Sequence, residues 1–121
     1  MARSLLVKIA CDLSAAERLN QALTVPATAA ASGVPTSVWL AAEPSSLAVP
    51  GFAETLPVLP HAVPLAELRD TLLELAQVTV CAQCAKRRGL TEADLLPGVR
   101  VAGAAAFVEE SLADGVQALI Y

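Results

Sequence analysis

Large rings are nearly absent from this chain: aromatic residues make up 3% of its 121 positions. A core without rings must be filled by Ala, Val and Leu, and a hydrophobic fraction of 55% supplies them. Such a composition suits Ala-rich helices lying close on a sheet. Positive charge is scarce as well. Eight Lys and Arg against twelve Asp and Glu leave a formal charge of -4, with no basic footprint for DNA or RNA. Nucleic acid is therefore not an expected partner. Long apolar runs are missing too, since no segment reaches the roughly 18 uninterrupted residues that cross a bilayer. No membrane span is expected.

Met1 to Cys11 faintly resembles a secretion or lipoprotein signal, with Arg3 ahead of an apolar patch that ends in Ala10-Cys11. Lys8 interrupts that patch, and Leu5-Leu6-Val7 is too short for a signal core. Residues 4–11 read instead as a buried strand, and the protein as cytoplasmic. In that reducing compartment the three cysteines, Cys11, Cys81 and Cys84, are expected to be free, catalytic or metal-bound rather than paired.

A length of 121 residues predicts one domain, 1–121. Two periodicities alternate along it. Residues 4–10 form the first strand, and Asp12 and Ser14 supply helix-start chemistry. Ala16, Leu19, Leu23, Ala27 and Ala30 then recur at helical steps up to Gly33, with Pro26 expected to kink or interrupt the helix. Residues 36–41 read as the second strand. From Glu43 to Pro64 repeated prolines predict a loop with short helical turns. Leu65, Leu68, Leu72, Leu73 and Leu75 make a helical stripe, with Glu67, Arg69, Asp70 and Glu74 on the wet side. Residues 77–81 are the third strand, followed by a short helix from about Ala82 to Gly89 and a capped turn at Thr91–Asp94. Val99-Arg100-Val101 is a fourth strand, 103–113 a helix with Glu109 and Glu110 outward, and 118–121 a last strand.

Strands separated by helices predict a doubly wound α/β fold: three layers, α/β/α, around a mainly parallel five-stranded sheet. Ligands and reactive groups in such sheets collect beyond the carboxyl ends of the strands. Cys11 and Cys81 both fall there. A thiol is nucleophilic as thiolate, and the helix start after the third strand offers Cys81 amide dipoles that favour that form. Lys86, Arg87 and Arg88 close the same short helix at its far end, where cations complement the dipole. The plainer reading of Cys81 and Cys84 is that of small apolar residues in an Ala-rich interior.

Other uses of Cys-x-x-Cys each lack something in this chain. A thioredoxin-like domain needs antiparallel closing strands, and here the chain ends in parallel-sheet alternation. Structural zinc needs about four ligands, with only Cys11 and His61 to add, so no metal is expected. The six glycines are scattered singly, which gives no phosphate loop and implies no cofactor. Glu109-Glu110 is poorly placed for acid–base work on a solvent-facing helix.

From Leu5 to Tyr121 the chain resembles the DsrE/DsrF-like superfamily, which includes TusD-type sulfur-relay proteins. The matching segments, in order, are Asp12 to Arg18, Ser32-Gly33-Val34-Pro35, Val38-Trp39-Leu40, Leu47 to Gly51, Val80-Cys81, Gly98 to Gly103, Phe107 to Glu110, and Asp114-Gly115. The resemblance implies a small α/β subunit forming a homotrimer or homohexamer, with a cysteine after the third strand that carries persulfide sulfur between donor and acceptor proteins. Cys81 matches that cysteine, and Arg87-Arg88-Gly89 matches the family's Arg-Arg-Gly at similar spacing. Cys84 departs from the pattern, since relay members commonly carry one cysteine in this turn. A second thiol three residues on can resolve a persulfide internally to a disulfide. The expectation is thus a sulfur-transfer protein with sulfurtransferase-like or thiol redox activity, using Cys81 and Cys84. The alternative is a non-catalytic oligomeric binding or redox-sensing module with structural cysteines.

Overall fold

Each apolar run with a two-residue period becomes a strand, and each with a three-to-four-residue period becomes a helix. A computed structural model describes residues 3–121; Met1 and Ala2, where the signal-like stretch begins, lie outside the described residues. The strands are β1 (Ser4–Ile9), β2 (Thr36–Leu40), β3 (Gln77–Cys81), β4 (Arg100–Ala102) and β5 (Val116–Ile120). The helices are α1 (Ala16–Ala31), α2 (Leu65–Leu75), α3 (Ala82–Arg87) and α4 (Ala104–Ser111). All strand pairs are parallel, in the order β4-β3-β2-β1-β5.

Strand alternation divides the side chains between two faces. Val7, Ile9, Val38, Leu40, Val78 and Val80 form one face, which packs with Leu19 and Leu23 of α1 and Leu68 and Leu72 of α2 in a single core. Each fully buried leucine contributes about 1.5–3 kcal/mol of transfer free energy. Leu6, Lys8, Trp39, Thr79 and Arg100 lie on the opposite face by register. There α4 is the cover: Phe107 meets Trp39 edge-on, ring centroids 5.3 Å apart.

The chain leaves β3 toward the first face, where Ala85 of α3 joins the core, and leaves β4 toward the second. The carboxyl ends of β3 and β4 therefore flank the crevice where the winding changes face, the usual ligand position in such sheets.

Several local expectations are corrected. Asp12 and Ser14 do not cap α1 with their side chains; its cap residue is Ala15, whose N–H bonds the Asp12 carbonyl at 3.0 Å. Helix α1 continues through Pro26, because the ring is fully buried on the core-facing stripe and packing there offsets the lost hydrogen bond. Arg69 is not on the wet side of α2. It is buried, in a two-pronged ion pair with Glu54 at 2.8 and 3.0 Å that ties the proline-rich segment to α2. That segment forms 3-10 turns at Glu43–Ala48 and Ala53–Thr55, as its composition predicts. The turn at Glu92–Asp94 carries a reciprocal capping box between Thr91 and Asp94. No helix among the described residues is long and apolar enough to cross a membrane.

Candidate active site

Strand β3 ends at Cys81, which is also the residue that caps α3, in an extended conformation (φ -60°, ψ 123°). By strand parity Cys81 shares a face with Thr79 and therefore with α4, and it pairs with Ala102 at the end of β4. It is half-buried.

Burial pushes the Cys81 thiol up. The amide of Cys84, the Cys84 thiol, the amide of Gln83 and the Lys8 ammonium outweigh that effect, and the group titrates below the ordinary thiol value. The amides act on Sγ as nearby dipoles, since Cys81 makes no capping hydrogen bond. A half-buried thiol biased toward thiolate, at the rim of a parallel sheet, is chemically a nucleophile.

Cys84 lies one helical turn on and is buried at 9% exposure. Its sulfur accepts the N–H of Ala42 at 3.2 Å. Ala42 holds that donor in place from a left-handed backbone (φ 52°, ψ -143°), a conformation costly for a residue with a Cβ. The two thiols are thus close but differently placed, one facing the crevice and one under the turn after β2.

Residues 17–116 match the DsrE/DsrF-like family model. The chain belongs to the DsrE/DsrF-like family. Solved structures with the same fold include the ychN protein of E. coli, at 15% identity over all of both chains and a TM-score of 0.68. MTH1491 of Methanobacterium thermoautotrophicum, a protein of unknown function, matches over all of both chains at 14% identity and a TM-score of 0.64. BT1422 of Bacteroides thetaiotaomicron, a conserved protein of unknown function, gives 13% identity and a TM-score of 0.63, over 98% of this chain and 95% of its own. At these identities the likeness establishes the fold alone. No curated protein matches the chain by sequence.

Within this DsrE/DsrF-like fold the other sequence candidates separate from Cys81 and Cys84. Cys11 is buried in the core, and burial raises its thiol pKa. Lys86 and Arg87 occupy the last turn of α3, and Arg88 donates from Nη1 to the Cys84 carbonyl at 3.2 Å, so this basic run finishes the helix. His61 is exposed in a loop, and the described residues hold no cluster of three or more potential metal ligands.

Glu110 corrects the reading of α4. Glu109 is exposed, but Glu110 turns inward and accepts from Ser37 Oγ (2.8 Å), Trp39 Nε1 (3.0 Å) and Arg100 Nη2 (2.6 Å). Arg100 also donates from Nε to Thr79 Oγ1 at 3.0 Å. This network clamps α4 to the sheet and so fixes Phe107. Sequence reasoning missed Lys8, Ala42 and Glu110. Lys8 alone left a signal there, as the one charge inside an otherwise apolar strand.

Proposed function

We propose that this protein is a sulfur-transfer subunit: Cys81 accepts sulfane sulfur as a persulfide, and Cys84 assists or resolves it. The observation that carries this reading is the half-buried, acidified thiol of Cys81 at the crevice between the ends of β3 and β4. Membership of the DsrE/DsrF-like family supports it.

In the first step the Cys81 thiolate attacks the outer sulfur of a donor. The sulfur–sulfur bond of the donor breaks, the donor leaves as an anion, and Cys81 holds S–SH. An acceptor thiolate can then take the outer sulfur and return Cys81 to thiolate. In the second route Cys84 attacks Cys81 Sγ, hydrosulfide leaves, and a Cys81–Cys84 disulfide forms, which an external dithiol reduces with two electrons. The working unit is a single domain, 1–121, in the cytoplasm, assembled as a homotrimer or homohexamer with sulfur donor and acceptor proteins as partners. Val108, Leu112 and Ile120 are exposed along α4 and β5 and give self-association an apolar surface.

Intact-mass spectrometry after incubation with a sulfane donor tests the assignment. The expected result is an adduct of about 32 Da, one sulfur atom, lost in Cys81→Ser and longer-lived in Cys84→Ser. A wild-type protein that takes up no sulfur, or a Cys81→Ser protein that keeps the adduct, overturns it.

A further inference from the structure

Lys8 is the one charged residue in β1, and it projects from the same sheet face as Cys81. In the lateral row across that face Lys8 pairs with Trp39, Trp39 with Thr79, and Thr79 with Arg100. The two cations of that row differ. Arg100 is neutralised by Glu110 at 2.6 Å, whereas Lys8 has no ion-pair partner among the described residues. Its ammonium lies 4.8 Å from the centroid of the Phe107 ring, which holds the stem without cancelling the charge.

The next row toward the carboxyl ends contains Cys81. The sheet hydrogen bonds continue past β2 through the Ala41 N–H to the Ile9 carbonyl at 2.9 Å, so Ala10 and Ala41 continue that row on β1 and β2. The floor between the thiol and the cation is therefore made of methyl groups. Two strand spacings of about 4.8 Å and one two-residue step of about 6.6 Å separate the Lys8 and Cys81 backbones, a gap of about 12 Å that a lysine stem partly spans.

We propose that Lys8 is the anion-binding end of the Cys81 site, and that the site takes a small, doubly charged sulfane donor, thiosulfate, between the Cys81 thiolate and the Lys8 ammonium. This deepens the sulfur-transfer reading and rests on it for the identity of the donor. The Cys81 thiolate attacks the outer sulfur of thiosulfate, the sulfur–sulfur bond breaks, and sulfite leaves as the dianion. Cys81 keeps S–S⁻, so three negative charges enter and three remain. Lys8 lowers the repulsion between the thiolate and the dianion as they meet, and afterwards pairs with the persulfide anion. The half-buried position of Lys8 keeps solvent screening of that charge below that of a surface lysine.

The test uses the full chain as wild type, Lys8→Met and Lys8→Arg. Met keeps a stem against Phe107 and removes the charge, and circular dichroism checks that each variant is folded. Cys81 is alkylated at one fixed pH with iodoacetate and with iodoacetamide, and the ratio of the two rates is read, because thiolate content cancels from it. The ratio should fall about threefold to tenfold in Lys8→Met and be kept in Lys8→Arg, the size expected for one partly screened unit charge. Thiosulfate uptake at Cys81 should slow by about tenfold in Lys8→Met and be rescued in Lys8→Arg. An unchanged alkylation ratio in a folded Lys8→Met protein overturns the role of Lys8 whatever the sulfur chemistry does. Failure of wild type to take sulfur from thiosulfate while it takes it from a persulfide overturns the donor class. No uptake from any donor removes the sulfur-transfer reading itself, and the alkylation ratio still decides whether Lys8 is an anion site.

Discussion

Replacing Glu110 by Ala should cost about 2–3 kcal/mol of stability, a sum that follows from what each of its three donors does when the carboxylate is gone. Ser37 Oγ can rotate to another acceptor and contributes little. Arg100, at 37% side-chain exposure, recovers water, and a partly exposed ion pair is worth about 1 kcal/mol or less. Trp39 cannot compensate. It is 1% exposed, so its Nε1–H would be left buried without a partner, at a cost of about 1–3 kcal/mol. Helix α4 buries no residue fully, so little packing energy is added to that sum. For a chain of this length the change corresponds to a fall in Tm of roughly 6–15 °C. Urea unfolding followed by the fluorescence of Trp39, the only tryptophan, measures it at the reporting site, with protein concentration held constant because association would shift the midpoint. A loss below about 0.5 kcal/mol would refute the reasoning, since it would mean that the indole is satisfied without Glu110.

Two further perturbations address the supports of the site. The side-chain hydrogen bond from Arg69, with the backbone amide and the cation's field, holds Glu54 at about 2 instead of 4.5; the pair's contribution is complete above about 4.5 and is lost as pH falls toward 2. Urea midpoints measured through that window should fall more for wild type than for Glu54→Gln, and parallel curves would count against the pair. At the turn after β2, Ala42→Gly should stabilise the fold by about 1 kcal/mol, because relief of the left-handed strain outweighs the added freedom of the unfolded chain. Thermal unfolding reads the difference, and a lowered Tm would show that Ala42 is not strained.

Period and punctuation were enough to read most of the fold. The residues of β3 and α3 can be assigned from Val78-Thr79-Val80 and the switch in period after Cys81, and Cys81 falls at the strand end as the sequence implies. What sequence could not supply is the identity of each neighbour across the sheet. Glu110 reads as solvent-facing because Glu109 beside it is, and the donors that turn it inward lie 71 and 73 positions away for Trp39 and Ser37. Arg69 misleads for the same reason, since its partner Glu54 belongs to a segment without period. Pro26 is a local rule overridden by burial. Lys8 was visible as an interruption of an apolar strand, yet its relation to Cys81 depends on the order β3-β2-β1, which no pattern within β1 encodes.

The spacing of two residues between Cys81 and Cys84 places thiols of unequal access in one turn, and that inequality orders any chemistry they share. Cys81 ends a strand, so its side chain takes the parity of Thr79 and faces α4. Cys84 has completed most of a helical turn and is buried under the turn after β2, where the Ala42 amide meets its sulfur. A reagent arriving at the crevice therefore meets Cys81 first. Cys84 can reach only a sulfur that Cys81 already presents, because Cys84 itself is nine-tenths covered. The strained backbone at Ala42 holds a hydrogen-bond donor against the Cys84 sulfur, which fixes that sulfur under the turn while Cys81 stays on the face of α4. A turn built only to fill an Ala-rich interior would need neither the strained donor nor, on the face that Cys81 presents, a lysine without an ion-pair partner among the described residues.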